Sequence, residues 1–153
     1  MPNRIMKFRA WDKIAKAIVG LDAIEFTDRL EGRSGANCFL CSEWKGKKEN
    51  RSYWRDMRDL ELMQFTGCQD KNGKDIYEGD IVQEVERYID LENPMADAGS
   101  RIRQSYITYW HQGFWIHSEA DGWKGESIYD WNNLEVVGNI YENADLYEKI
   151  TTK

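Results

Sequence analysis

Few residues in this chain could bind a metal, and only two of them are close together in the sequence. Cys38 and Cys41 have the Cys-x-x-Cys spacing with which a turn can place two thiolates on one zinc ion. A closed zinc site needs four ligands, and the other candidates, Cys68, His111 and His117, are distant in sequence. Because no second Cys-x-x-Cys pair exists, we interpret Cys38 and Cys41 as small apolar residues of a strand. We expect neither a metal nor a cofactor.

Acid–base catalysis has equally little support in the sequence. Asp12, Glu78 and Asp80 could supply paired carboxylates, but the sequence places no nucleophile or metal ligand beside them. Carboxylates in such turns more often accept hydrogen bonds from neighbouring backbone amides, so we expect these three to cap turns. We expect His111 and His117 to be surface residues of a hairpin. The sequence therefore predicts that the protein is not an enzyme.

Residues 44–58 combine cations with aromatic side chains, which is the composition that suits single-stranded nucleic acid. In this interpretation the cations follow the phosphates and the rings stack on the bases. In the other interpretation the stretch is a solvated loop whose aromatic side chains reach the core. The net charge of −6 argues against a general nucleic-acid coat but allows a local basic patch. The candidate nucleic-acid contacts are Lys47, Lys48, Arg51, Tyr53, Trp54, Arg55 and Arg58.

Tryptophan side chains give the candidate protein interface. Trp110 lies beside a predicted turn and Trp123 lies among glycines and charged residues, so either ring could be exposed. Exposed Trp residues are favoured at protein interfaces, where they bury a large area at a small entropic cost. The same rings could equally belong to the core, which is where we expect Trp115. An exposed aromatic patch would most simply serve self-association.

Composition predicts one packed domain, or one core with an extension. The chain has 153 residues, of which 41% are hydrophobic and 13% aromatic, and only two are proline, a balance that favours strands. The N-terminal residues lack the apolar run of a secretory signal, and no segment is apolar enough to span a bilayer. With three cysteines, we expect a reduced, cytoplasmic protein without a membrane partner.

Turn residues and apolar alternation divide the chain into two parts. Residues 1–58 form an N-terminal β extension with a loop-rich insertion, and residues 59–153 form the main domain. Short strands between residues 60 and 141 predict a small, partly open barrel, followed by a short helix over 144–150 that Asn143 caps. Asn72-Gly73 predicts a two-residue type I′ hairpin turn, with Asp70 among the exposed residues at its tip.

Three blocks of the sequence resemble the YopX family, whose members are small proteins of bacteriophages and prophages. The blocks are residues 7–12, 62–82 and 137–143, and they occur in the family's order. The resemblance implies a mainly β fold with an SH3-like barrel, self-association, and a cytoplasmic location in the bacterial host cell. It brings no known reaction and no catalytic residues. We therefore expect a phage accessory protein of unknown biochemical role that forms a homo-oligomer and binds an unidentified phage or host protein. A nucleic-acid-binding regulator that uses residues 44–58 is the alternative.

Overall fold

The structure, a computed structural model of the chain, describes residues 6–25, 38–43, 53–89, 97–118, 123–130 and 133–152. These residues form eleven strands, two short 3-10 helices and one α-helix, so the prediction of a mainly β fold with a short C-terminal helix is confirmed. The contacts divide the chain into two compact units, residues 1–65 and 66–153. The predicted boundary between residues 58 and 59 lies just before the strand in which this division falls.

The first unit is an antiparallel sheet. Its strands are β1 (Phe8–Asp12), β2 (Ala17–Glu25), β3 (Cys38–Glu43), β4 (Tyr53–Asp56) and the first part of β5 (Leu60–Gln69), and their order is β4-β3-β2-β1-β5. A 3-10 helix, Met57–Asp59, connects β4 to β5. Ala10, Val19 and Leu60 are buried at the centre of this unit because alternate residues of each strand face one side. The strands β3 and β4 lie within the segment that we predicted to be a loop-rich insertion.

The second unit contains a five-stranded antiparallel sheet of order β10-β9-β8-β7-β11. Its strands are β7 (Asp80–Ile89), β8 (Asp97–Trp110), β9 (Gly113–Ser118), β10 (Trp123–Ser127) and β11 (Glu135–Asn139). The unit also holds β6 (Asp75–Tyr77), which pairs with the end of β5, a 3-10 helix at Ile128–Asp130, and the helix α1 (Ala144–Thr151). The core of the unit is a cluster of buried apolar side chains: Ile76, Val82, Ile107, Phe114, Ile116, Ile128 and Leu134.

The turn at Asn72-Gly73 differs from the predicted type I′ turn. Gly73 has a positive φ of 80°, but Asn72 does not, so the pair cannot form a turn that needs φ > 0 at both positions. The Asp70 carbonyl accepts a hydrogen bond from the Gly73 amide, and the Asp70 amide donates to the Lys74 carbonyl, which encloses a three-residue loop. This is the geometry of a type I turn followed by a glycine bulge.

Asp70 itself is the reason for the change of turn. It is buried rather than exposed as we predicted, at 7% of its full accessibility. Its carboxylate accepts hydrogen bonds from the amides of Asn72 and Lys74 at 2.8 and 2.9 Å, and from the Val136 amide of β11 at 3.1 Å. Since one side chain holds both the loop and β11, the hairpin tip lies against the body of its unit.

Within the described residues, no helix has the length and apolar character that crossing a membrane requires.

Candidate binding site on an aromatic hairpin

The hairpin of β8 and β9 carries a group of partly exposed aromatic side chains in the second unit. Burial alternates along β9: Phe114, Ile116 and Ser118 face the core, and Trp115 and His117 face the opposite side. The register places His117 opposite Tyr106 of β8, on that same outer face. Five side chains on this face line a depression of about 240 Å³: Tyr106, Thr108, Trp110, Trp115 and His117. We call this the aromatic depression.

The rings of the aromatic depression meet edge to face. Tyr106 and His117 have ring centroids 5.4 Å apart with an angle of 64° between planes, and Trp110 and Trp115 have centroids 5.5 Å apart at 74°. Tyr147 of α1 packs against the Tyr106 ring at 5.1 Å and 85°. In each pair the positive ring edge points at the negative face of its neighbour, which stabilises the arrangement by roughly 0.5–1.5 kcal/mol a pair. The walls of the depression are therefore held in place by the fold.

Two features of this site point to a ligand. Trp110 is 52% exposed although tryptophan is the largest side chain that proteins contain. The Nδ1 atom of His117 is buried and has no hydrogen-bond partner among the described residues. A buried polar atom without a partner costs about 1–3 kcal/mol, so such atoms are rare in native structures. The combination describes a surface that can accept both ring contacts and a hydrogen bond.

The turn at the end of this hairpin is strained. Trp110 pairs with Gly113, which leaves His111 and Gln112 as a two-residue loop, and both have positive φ, 44° and 67°. These are the conditions of a type I′ turn, which glycine, asparagine and aspartate normally occupy. The His111 ring lies 3.8 Å from the Trp110 ring, centroid to centroid, at an angle of 72°. Strain of this kind is concentrated at functional sites in proteins.

Sequence reasoning identified part of this site and missed the rest. Trp110 is exposed beside a turn, and His111 is an exposed hairpin residue, as expected. Trp115 is not a core residue as we predicted, because it points away from the side of β9 that Phe114 occupies. His117 is half-buried rather than a surface residue. The period-two alternation of residues 113–118 was the signal that could have separated the two faces.

Trp123, the other predicted interface residue, lies on β10, the neighbour of β9 in the sheet. Its backbone is paired with Ser118. Its side chain lies outside the described residues.

The basic-aromatic stretch enters the described part of the chain only from Tyr53 onward. Lys47, Lys48 and Arg51 lie outside the described residues. Trp54 is 51% exposed on β4, whereas the hydroxyl of Tyr53 and the guanidinium of Arg55 both donate to Asp12, at 3.0 and 2.8 Å. Arg58 donates to the carboxylate of Asp56, and this pairing lowers the pKa of Asp56 to about 2. Both described arginines of the stretch thus already have carboxylate partners.

Asp12 is the polar centre of the first unit. Its side chain is fully buried, and besides Tyr53 and Arg55 it accepts hydrogen bonds from the amides of Ile14 and Ala15 at 2.9 Å each. Burial alone would raise the pKa of this carboxyl, but the Ala15 amide, the Arg55 guanidinium and the other donors together hold the pKa below its ordinary value. The interpretation of Asp12 as a turn cap is confirmed.

Asp80 has the same role in the second unit. It is buried, and its carboxylate accepts a hydrogen bond from the Tyr77 amide at 2.9 Å across Glu78 and Gly79. The Gly79 amide donates to the Ile107 carbonyl of β8, and the Gly79 carbonyl accepts from the Ile140 amide. The sequence Glu78-Gly79-Asp80 is thus a corner that binds β8 and the segment after β11.

The final block, residues 137–143, is likewise a turn held by side chains. The Asn139 Oδ1 atom accepts hydrogen bonds from the amides of Tyr141 and Glu142 at 2.9 Å, and Asn143 Oδ1 accepts from the Asn139 amide at 3.1 Å. Asn143 precedes α1 as predicted, but its side chain bonds backward to Asn139 and makes no cap bond to the helix. A Cβ atom at Gly138 would lie 2.3 Å from Asn143 Oδ1, so this turn requires glycine.

Of the three cysteines, the structure describes the side chain of Cys68. The backbone of residues 38–43 is a strand and not the turn that a zinc Cys-x-x-Cys pair adopts, while the side chains of Cys38 and Cys41 lie outside the described residues. Cys68 is a half-buried free thiol, and burial raises its pKa, an effect that the hydroxyl of Thr66 partly offsets. Within the described residues, no three His, Cys, Asp or Glu side chains are grouped as metal ligands would be.

Comparison with known proteins shows a family and similar solved structures. The family model described as "YopX protein" matches residues 7–148. The crystal structure of protein EF1440 from Enterococcus faecalis is similar to this chain, with a TM-score of 0.55 and 26% sequence identity. That match covers 94% of this chain and 99% of the other. No curated protein matches.

Proposed function

The chain belongs to the YopX family, and from this we propose that it is a non-enzymatic accessory protein of bacteriophages and prophages that binds proteins. In this proposal it works in the cytoplasm of the bacterial host, associates with itself and docks onto a phage or host protein. We also propose that the second unit is an SH3-like barrel, since its five antiparallel strands are interrupted by register shifts that bend a sheet.

The half-exposed Trp110 at the edge of the aromatic depression carries the proposal of protein binding. A Trp side chain that is 52% exposed still has a large area to bury, and its T-shaped contact with Trp115 fixes its position before a partner arrives. Residues that are rigid and aromatic dominate the binding energy of protein interfaces. Proteins that bind in this way lose little conformational entropy on association.

A second exposed patch supports self-association. Val85 of β7 and Ile102 of β8 are directly paired in the sheet and are 51% and 64% exposed. A second copy of the chain that packs on this pair would remove both apolar side chains from water. We place the contact between copies of this chain at this pair.

The absence of catalysis is proposed because the buried carboxylates of the described residues serve the backbone. Asp12, Asp70 and Asp80 each accept hydrogen bonds from backbone amides that close a turn or a corner. These hydrogen bonds give each carboxylate a structural role that involves no catalysis.

The alternative, a nucleic-acid-binding regulator, retains one supporting observation: Trp54 is 51% exposed on β4. Its cations would have to come chiefly from Lys47, Lys48 and Arg51, because Arg55 and Arg58 are engaged by Asp12 and Asp56. Anisotropy of labelled single-stranded DNA and RNA in a salt series tests it. Binding that falls steeply with salt and is lost in the Arg51→Gln variant would favour this alternative.

Sedimentation velocity and site-specific crosslinking test the favoured proposal. Ile102→Ser should weaken self-association at least tenfold, whereas Ile14→Ser, at a residue of similar exposure in the first unit, should leave it unchanged. A benzophenone amino acid at position 110 should crosslink to a protein in bacterial cells that carry the phage. The same group at position 109, which is equally exposed, should not. A monomer at all concentrations that also forms no adduct from position 110 would refute the proposal.

A further inference from the structure

We propose that the aromatic depression binds the guanidinium group of an arginine side chain presented by the partner protein. This inference rests on the proposed function, since it names the chemistry of the partner at the same site. It follows from the size of the depression, from its aromatic rings, from the polar atoms of two lining side chains and from the negative charge of the chain.

The size of the depression fits a single side chain. Its volume of about 240 Å³ is below the roughly 300 Å³ at which pockets for small molecules and cofactors begin. It lies on the outer face of a hairpin and is open to solvent at Trp110. One long side chain that projects from a partner can reach such a site, and a bulky ligand cannot be enclosed by it.

The ring faces favour a cation. Three of the five lining side chains, Tyr106, Trp110 and Trp115, are aromatic rings with π faces. Cations are attracted to the face of Trp most strongly and to Tyr next, and guanidinium stacks on these faces more often than ammonium does. The guanidinium is also more weakly hydrated than ammonium, so less hydration is lost when it enters.

Two side chains of the lining, those of His117 and Thr108, carry polar atoms. His117 Nδ1 is buried and has no hydrogen-bond partner among the described residues. In the neutral imidazole one ring nitrogen is an acceptor, and the hydroxyl of Thr108 in the same lining is a second acceptor. A guanidinium carries five N–H donors and no acceptor, and its planar arrangement allows it to stack on a ring while it donates in its own plane.

The charge around the depression agrees with a cationic occupant. None of the five lining residues is a lysine, arginine or carboxylate. The neighbouring helix α1, whose Tyr147 packs on Tyr106, carries two exposed acids, Asp145 and Glu148, against one lysine, Lys149. The whole chain has a net charge of −6. A nucleic-acid base could stack on the same rings, but the lining offers no cation for its phosphates.

Titration of the intact chain with small blocked amino acids tests the inference. The probes are N-acetyl-arginine methylamide, its neutral isostere N-acetyl-citrulline methylamide, N-acetyl-lysine methylamide and a short oligothymidylate. The readout is the NMR signals of the indole N–H groups of Trp110 and Trp115, assigned with Trp→Phe variants. The arginine compound should shift both signals and saturate in the millimolar range, with citrulline at least tenfold weaker and lysine in between.

Variants locate the site. Trp110→Ala should abolish the response of Trp115, and His117→Phe, which keeps a ring but removes Nδ1, should weaken arginine binding several-fold. Tyr109→Ala is the matched control, because Tyr109 has the same exposure as Trp110 but is not part of the lining. It should change the affinity less than twofold.

The outcomes separate the inference from the proposed function. Equal binding of citrulline and arginine, a response to oligothymidylate alone, or no response to any probe would refute the arginine site. A crosslink from position 110 would still support protein binding in each of those cases. Arginine binding without any crosslink would support the site and refute the proposed partner.

Discussion

Replacing Gln112 by glycine should stabilise the protein, because the backbone at this position has a conformation that glycine adopts freely. Gln112 has φ of +67° and its side chain is exposed, so the substitution changes the backbone preference and little else. A Cβ atom in the left-handed region costs about 1–2 kcal/mol, and glycine in turn loses roughly 0.5–1 kcal/mol more conformational entropy on folding. The free energy of unfolding should therefore rise by about 0.5–1 kcal/mol.

Urea denaturation followed by tryptophan fluorescence measures this change, and Gln112→Ala is the control that keeps the Cβ atom. Alanine should give no increase. The reverse substitution, Gly73→Ala, should lower the free energy of unfolding by about 1 kcal/mol, since Gly73 has φ of +80° and no atom lies within 4 Å of the added Cβ. If Gln112→Gly lowers stability, or if alanine stabilises as much as glycine, the argument from backbone strain is wrong.

The remaining predictions concern buried polar groups and one close contact. Gly138→Ala should destabilise the second unit by about 1–3 kcal/mol, because the new Cβ would lie 2.3 Å from Asn143 Oδ1. Thermal unfolding measures the loss of stability, and the double variant Gly138→Ala with Asn143→Ala should recover part of that loss. Asp12→Asn should cost about 2–4 kcal/mol by urea denaturation, because it leaves the Arg55 guanidinium without its carboxylate, and an unchanged stability would contradict this account. Burial by itself raises the pKa values of Asp12 and Asp70, but their hydrogen bonds lower both values overall. The contribution of these carboxylates to the free energy of unfolding is therefore full above the unfolded-state pKa of about 3.9, and it is lost as the pH falls through the lower folded-state values. Stability should thus fall below about pH 4, and the fall should be shallower in Asp70→Asn.

The basic-aromatic stretch shows how a charge pattern in sequence can mislead about an interface. Sequence alone gives the number of cations in residues 44–58 and cannot say which carboxylates they meet. Asp12 lies more than forty positions away from Arg55 in the chain. The four strands β4-β3-β2-β1 form one antiparallel sheet, and this sheet brings Arg55 Nε within 2.8 Å of Asp12 Oδ2. Arginines that look available in the sequence are therefore partly used to stabilise the fold.

The turns also show that residue preference alone does not decide the conformation of a loop. Asn72-Gly73 is the residue pair most typical of a type I′ turn, yet the buried carboxylate of Asp70 fixes a different loop there. The conformation with two positive φ values occurs instead at His111-Gln112, where residue preference argues against it. Long-range pairing of β8 with β9 determines that turn, because the register from Tyr106 to Trp110 leaves only two residues to connect the strands.

The sequence by itself determined much of the local structure: most of the strands, the glycines at corners, the asparagine before the last helix and the family. These properties depend on alternation and on turn residues, which act over a few positions, so they can be read along the chain. Only the tertiary structure decided which face of each strand is covered. Trp115 and Phe114 are neighbours of similar character, and the packing of Ile107, Ile116 and their cluster places Phe114 in the core and leaves Trp115 beside Trp110. The aromatic depression exists because the core covers the face of β9 that carries Phe114 and leaves the face that carries Trp115 open.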